Sequence, residues 1–68
     1  MNISFDVEQE DDGRWLAEVP ELTGVMAYGA TRREAMAKAE ALALRVLAER
    51  LEHQETGPMN VRIVVAAE

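Results

Sequence analysis

The chain has 68 residues, which allows one small domain, residues 1–68, with a thin hydrophobic core. It has no cysteine and a single histidine, His53, which excludes disulfides, thiolate metal sites and histidine-based zinc clusters. The formal net charge of −6 argues against direct binding of nucleic acid and favours a basic protein partner. We predict no cofactor and no membrane span, and we expect a cytoplasmic protein.

Three short strands are predicted in the first part of the chain. Residues 2–9 and 14–19 both alternate between apolar and polar side chains, which is typical of half-buried strands. The Asp-Gly pair at 12–13 lies between them and predicts a tight hairpin. Pro20 ends the second strand because it has no N–H to donate, and residues 25–28 form the third strand. The apolar face of the first strand carries Ile3, Phe5 and Val7, and that of the second carries Trp15, Ala17 and Val19.

Turn chemistry separates the third strand from its neighbours. Residues 21–24 are interpreted as a turn. Gly24 in this turn and Gly29 at the end of the third strand are both expected to adopt positive φ.

A long helix follows the three strands. Thr31 and Glu34 have the spacing of a capping box, in which each side chain bonds the backbone N–H of the other residue. The helix should extend to about Gln54, with favourable ion pairs Glu34–Lys38 and Arg45–Glu49. Its predicted core face comprises Ala35, Ala39, Leu42, Ala43, Val46 and Leu47.

The predicted elements combine into an α+β fold of order β-β-β-α-β. Residues 61–65 alternate again and form the fourth strand. We predict one four-stranded sheet of order 3-2-1-4, with the fourth strand parallel to the first, and one long helix packed on one face.

The helix carries a second apolar stripe, apart from its predicted core face, and the stripe indicates self-association together with one apolar residue on the other face of the sheet. Exposed apolar stripes usually mark interfaces, and a core this small needs support. We therefore predict a homo-oligomer, a dimer or a tetramer, although single exposed leucines and helix-favouring alanines are the ordinary alternative. The candidate interface residues are Ala41, Leu44, Ala48, Leu51 and Val64.

Acidic residues form the candidate partner-binding surface. Three lie on the open face of the predicted sheet and three at its rim, and the alternative is a merely solvated acidic surface. They are Asp6, Glu8 and Glu18 on the face, and Asp11, Asp12 and Glu21 at the rim. A magnesium site at the acidic hairpin is a weaker alternative. Ser4, Thr31 and His53 are too scattered to indicate nucleophilic catalysis, so we predict no catalytic or metal-binding residues and no enzyme.

Two segments carry a resemblance to a known family. Residues 11–24 contain an acidic-Gly turn, an aromatic residue and then Ala-x-x-Pro-x-Leu-x-Gly, which resembles the second-strand signature of HicB-like antitoxins. Residues 29–35, Gly-x-Thr-x-x-Glu-Ala, followed by Ala39 and Leu42, resemble the second half of that signature at the expected separation. Val25 stands where the family often has cysteine, and Arg32 and Arg33 stand where acidic residues are common.

The resemblance implies a fold and a function. The fold would be a HicB-like domain, partly similar to double-stranded-RNA-binding and RNase H-like domains. Such a domain binds a small basic ribonuclease, the HicA toxin, and blocks its active site. Many members add a C-terminal DNA-binding domain. This sequence ends at Glu68, so we expect a stand-alone domain without that appendage.

Three hypotheses follow from these features. The first is a protein-binding module, a HicB-type antitoxin that neutralises a basic ribonuclease toxin. The second is an orphan HicB-like domain that self-associates in a structural or regulatory role and has no toxin partner. The third and weakest is a small hydrolase or nuclease that uses a carboxylate-bound metal.

Overall fold

The computed structural model of this chain describes residues 1–53 and 57–65. The chain folds into a three-stranded antiparallel sheet, a two-stranded parallel sheet and one helix, which confirms the predicted α+β class. In chain order the elements are β1 (Asn2–Ile3), β2 (Asp6–Gln9), β3 (Trp15–Glu18), β4 (Met26–Gly29), α1 (Arg32–His53) and β5 (Arg62–Ile63). The predicted helix end at Gln54 lies outside the described residues.

The first predicted strand is divided, and this corrects the prediction of one four-stranded sheet. The backbone N–H of Ser4 donates to Oε1 of Glu21 at 3.1 Å, and its hydroxyl donates to Oε2 at 2.7 Å. Because the backbone N–H of Ser4 bonds the Glu21 side chain and not the backbone of a neighbouring strand, the strand ladder is interrupted between β1 and β2. Sheet order β2-β3-β4 is therefore separate from the pair β1-β5, although β5 is parallel to β1 as predicted.

The acidic hairpin forms where the sequence predicts it. The N–H of Glu10 donates to the carbonyl of Arg14 at 2.7 Å, and the N–H of Gly13 donates to the carbonyl of Glu10 at 3.0 Å. Gly13 has φ of 91°, the conformation that glycine adopts at least cost. This turn brings β2 and β3 into antiparallel register, with Val7 opposite Ala17.

The helix begins with the predicted Thr31 cap, but the second half of the capping box is displaced by one residue. The N–H of Glu34 donates to Oγ1 of Thr31 at 3.0 Å. The Glu34 carboxylate accepts from the N–H of Ala30 at 3.1 Å, not from that of Thr31, and it also pairs with Lys38 at 3.2 Å. These bonds satisfy donors at the open end of the helix and fix its start.

The core lies between α1 and the inner faces of the strands. It is built of small helix residues, which let the helix lie close to the sheet, and larger side chains from the strands and loops. The buried residues are Ile3, Ala17, Val19, Leu22, Val25, Ala35, Met36, Ala39, Ala43 and Leu47. Leu42, Val46, Phe5, Val7 and Trp15 are partly buried and pack against this core. Leu22, Val25 and Met36 were not among the predicted core residues.

The role predicted for Gly29 is wrong. Gly13 and Gly24 have positive φ, but Gly29 does not. Instead, a Cβ built on Gly29 would lie 2.5 Å from the backbone nitrogen of Ala35 and 3.0 Å from its Cα. The residue is buried in β4 opposite Trp15. Glycine is therefore needed because the first turn of α1 passes directly over the end of β4.

Candidate functional site

The three-stranded sheet has a face that the helix does not cover. Two cross-strand rows lie on it, because side chains alternate between the faces of each strand. The first row is Asp6, Glu18 and Met26, and the second is Glu8, Leu16 and Tyr28. All six side chains are exposed except that of Leu16, which is partly buried. We call these six residues the acidic sheet face.

The charges on the acidic sheet face are arranged unfavourably for the protein alone. Asp6 and Glu18 are direct partners across the β2–β3 ladder, and Glu8 lies two residues along β2 on the same face. Like charges opposite each other destabilise a sheet, whereas an opposite charge on either strand would stabilise it. A cation supplied from outside the chain would relieve this repulsion.

Apolar groups lie beside these carboxylates. Met26 and Tyr28 are each 43% exposed, which is high for large apolar side chains on a regular strand. The guanidinium carbon of Arg14 lies 4.4 Å from the centre of the Tyr28 ring, a cation–π distance. The face therefore combines carboxylates, a thioether and an aromatic ring, with one internal cation at its hairpin end.

Asp12, a predicted partner-binding residue, is committed to a local contact. Its Oδ1 accepts from the backbone N–H of Arg14 at 3.0 Å, and its Oδ2 accepts from Nε at 2.7 Å. These bonds, the backbone bond first, lower the pKa of Asp12 below its usual value. Asp12 therefore orients Arg14 over Tyr28, while its neighbour Asp11 is exposed at the hairpin tip.

Glu21, another predicted partner-binding residue, is bonded within the chain and is not in the two cross-strand rows of the acidic sheet face. It accepts both hydrogen bonds of Ser4 at the break between β1 and β2. The Ser4 hydroxyl, followed by its backbone N–H, lowers the pKa of the Glu21 carboxyl. Of the six predicted residues, the structure thus brings together Asp6, Glu8 and Glu18. Met26 was not among the predicted binding residues, although its alternation with Val25 and Ala27 along the strand could have placed it on this face.

The lowered pKa of Glu21 predicts a loss of stability in acid. Because the folded-state pKa lies below the unfolded value, near 4.5, the stabilisation is complete above that pH and is lost as the pH falls through the folded pKa. We expect Glu21→Gln to have a free energy of unfolding that declines less between about pH 6 and about pH 3 than that of the original chain. Urea titrations over this range would measure the difference.

A matched control for this prediction is Glu49→Gln, which removes an exposed carboxyl that is remote from Ser4. Parallel pH curves for Glu21→Gln and the original chain would contradict a stabilising role for the Ser4–Glu21 contact.

A second surface lies on α1, on the side away from the core. Leu44 is 47% exposed and Leu51 is 40% exposed, and three exposed alanines lie on the same side of the helix. The stripe, which we call the helix stripe, comprises Ala37, Ala41, Leu44, Ala48 and Leu51. Four of the five predicted oligomer residues therefore share one face. Val64, the fifth, is exposed in the segment after β5, where its N–H donates to the carbonyl of Ile3.

The residues considered for catalysis are not brought together. The Ser4 hydroxyl donates to Glu21, and the Thr31 hydroxyl accepts the helix-capping bond. His53 lies at the far end of α1, beside an open cleft that it lines with Val46, Glu49 and Arg50. Among residues 1–53 and 57–65, no group of three or more histidine, aspartate or glutamate side chains is placed to hold a metal ion.

The described part of the chain contains no helix whose length and hydropathy would let it cross a membrane. Comparison with models of protein families, with curated proteins and with solved structures found no match. The resemblance to HicB-like antitoxins therefore stays a prediction from the sequence motifs.

Proposed function

We propose that this chain is a protein-binding module that captures a basic protein on the acidic sheet face. The observation that carries the proposal is the pairing of Asp6 with Glu18 on an uncovered sheet, with Glu8 on the same face. This arrangement is unfavourable in the isolated chain and favourable when lysine or arginine side chains meet it. The net charge of −6 steers a basic partner toward the domain.

The exposed apolar side chains support a protein partner in preference to a free cation. Aromatic residues and methionine are enriched in protein interfaces, where they supply contact area beside the polar groups. Met26 lies directly across from Glu18, and Tyr28 lies in the same cross-strand row as Glu8, with Leu16 between them. A phosphate backbone would instead be repelled by the same carboxylates.

The proposed partner is a small basic ribonuclease of the HicA type, and the proposed role is that of an antitoxin in the cytoplasm. A ribonuclease holds RNA phosphates with lysine and arginine side chains. A surface that offers carboxylates to those side chains competes with RNA for the same groups. Inhibition in this form needs no catalytic step by the chain itself. The HicB-like motifs in residues 11–24 and 29–35 support this choice of partner.

Charge reversal on the acidic sheet face tests the proposal. We expect Glu18→Lys to raise the Kd for a purified HicA-type ribonuclease by about 100-fold, because a charge that meets the partner becomes repulsive. The probe is a purified basic ribonuclease of the HicA type, and titration calorimetry measures the affinity. Glu49→Lys makes the same charge change on an exposed position of α1 and should leave the Kd within about twofold.

A second variant separates lost binding from lost folding. Glu18→Gln removes the repulsion with Asp6, so it should raise the free energy of unfolding by a few tenths of a kcal/mol while it weakens ribonuclease binding. Equal affinities for the Glu18→Lys, Glu49→Lys and original chains would reject the acidic sheet face as the binding surface.

An orphan self-associating domain is the second candidate function, and the helix stripe favours it. Purification under native conditions with measurement of the intact mass distinguishes the two. Recovery of a complex that contains the basic ribonuclease supports the antitoxin role. Recovery of a homo-oligomer alone, together with failure of the purified ribonuclease to bind, supports the orphan role.

A further inference from the structure

The helix stripe has the periodicity of a packing seam. Its residues are spaced by four, three, four and three positions, which is the repeat of a coiled-coil interface. The core of the domain uses the opposite side of the helix, where Ala39 and Ala43 are fully buried. The helix Arg32–His53 thus carries two apolar faces, and the described residues, 1–53 and 57–65, cover only one of them.

We propose that the helix stripe is the contact between two copies of this chain, whose α1 helices pack antiparallel. In this arrangement Leu44 packs on the partner's Ala48, and Leu51 packs on the partner's Ala41. One two-fold axis at the level of residue 46 produces both contacts, because each pair is placed symmetrically about that position. The inference is independent of the proposed capture of a basic protein, because it rests on a different face of the domain, and it specifies the contact that the second candidate function assumes.

The sizes of the side chains favour the antiparallel arrangement. Each of the two leucines of the helix stripe meets an alanine, so large and small residues alternate across the interface and the helices can approach closely. A parallel pair in register would place leucine on leucine and alanine on alanine. Gaps would then remain at the alanine positions, and the side chains around them would lose van der Waals contacts.

Charge complementarity also favours the antiparallel arrangement. Lys38 and Glu52 flank the same side of the helix stripe, and both are exposed. The two-fold axis places Lys38 beside the partner's Glu52, with an axial offset of about 3 Å, and this contact occurs twice. The two Arg45 residues approach each other near the axis, and this one like-charge contact offsets part of the gain from the two contacts between Lys38 and the partner's Glu52. Each Arg45 has Glu49 of its own helix one turn further along.

The contact area sets the expected affinity. The paired length is about 22 Å of helix, which gives an interface smaller than the roughly 800 Å² per partner of a stable complex. We therefore expect a dimer with a Kd in the micromolar range. Because α1 lies between the helix stripe and the strands, both acidic sheet faces stay uncovered in the dimer.

Sedimentation equilibrium on the full chain tests the dimer. The original chain should be dimeric at a few hundred micromolar and dissociate on dilution. Ala48→Glu should raise the Kd at least about 30-fold, because it places a carboxylate against the partner's Leu44. Thr23→Glu adds the same charge on an exposed turn and should leave the Kd unchanged. Circular dichroism would check folding, since glutamate is a good helix former.

Cysteine cross-linking tests the direction of the helices, because the chain contains no native cysteine. In the antiparallel pair, residue 41 faces residue 51 of the partner subunit, whereas the two copies of residue 41 are about 15 Å apart. The double variant Ala41→Cys, Leu51→Cys should therefore form a covalent dimer on oxidation, and Ala41→Cys alone should not.

Three results would overturn the inference. They are a monomer at all concentrations, an unchanged Kd for Ala48→Glu, and efficient cross-linking of Ala41→Cys alone. None of them bears on the acidic sheet face, so failure of the dimer is distinguishable from failure of the proposed function.

Discussion

Replacing Gly29 with alanine should lower the free energy of unfolding by about 3 kcal/mol. The added Cβ would lie 2.5 Å from the nitrogen of Ala35 and 3.0 Å from the carbonyl carbon of Glu34. Both are backbone atoms in the first turn of α1, which Thr31 and the Glu34 carboxylate hold in place. No flexible side chain can move aside, so the helix must shift away from β4.

Such a loss is large for a domain of this size, whose total stability is expected to be roughly 3–10 kcal/mol. Urea unfolding followed by circular dichroism would measure it. Gly57→Ala is the matched control, because a Cβ at Gly57 meets nothing within 4 Å and should change stability little. Gly24→Ala, at φ of 83° in open space, should cost about 1 kcal/mol. Similar stabilities for all three variants would refute the close approach of the helix to β4.

Truncating Leu22 to alanine should also cost about 3 kcal/mol. Leu22 is 1% exposed although it lies in the connection between β3 and β4. Its N–H donates to the carbonyl of Val19 at 3.1 Å, and its own carbonyl accepts from Val25 at 3.1 Å. The backbone thus fixes the side chain in the core, and a shorter side chain would leave a cavity that these bonds keep from collapsing.

The neighbouring Thr23 provides the control for Leu22, since it is exposed in the same connection. Thr23→Ala should change the free energy of unfolding by less than about 0.5 kcal/mol. Leu22→Met keeps most of the volume and should cost less than about 1.5 kcal/mol. If Leu22→Ala were as stable as Thr23→Ala, the side chain would not be part of the core.

Leu22 also illustrates what the sequence could and could not predict. The hairpin, the helix and its buried face follow from local periodicity and turn chemistry, and the structure confirms them. Residues 21–24 have the composition of a turn and do form the connection between two strands. No local pattern indicates that one side chain of a turn enters the core, because that depends on where the helix crosses the sheet.

The division of the first strand also depends on a contact between distant parts of the chain. Residues 2–9 alternate throughout, so periodicity predicts one strand. The interruption comes from a side-chain contact between Ser4 and Glu21, which are 17 positions apart. Asp12 and Glu21 were predicted to bind a partner because they are acidic and near the sheet, and the structure shows each bonded within the chain. Charge identifies a candidate surface, but only the fold shows which carboxylates are already occupied.

The interruption at Ser4 also separates two parts of the domain that should differ in local stability, the β1–β5 pair and the three-stranded sheet. The β1–β5 pair spans two residues of each strand, whereas β2, β3 and β4 share two ladders of four residue pairs each and lie under α1. Segments held by few hydrogen bonds open at a lower free energy than the rest of a domain. The backbone amides of β5 should therefore exchange with solvent deuterium well before those of β3, in a subglobal opening that leaves the carboxylates of β2 and β3 in register.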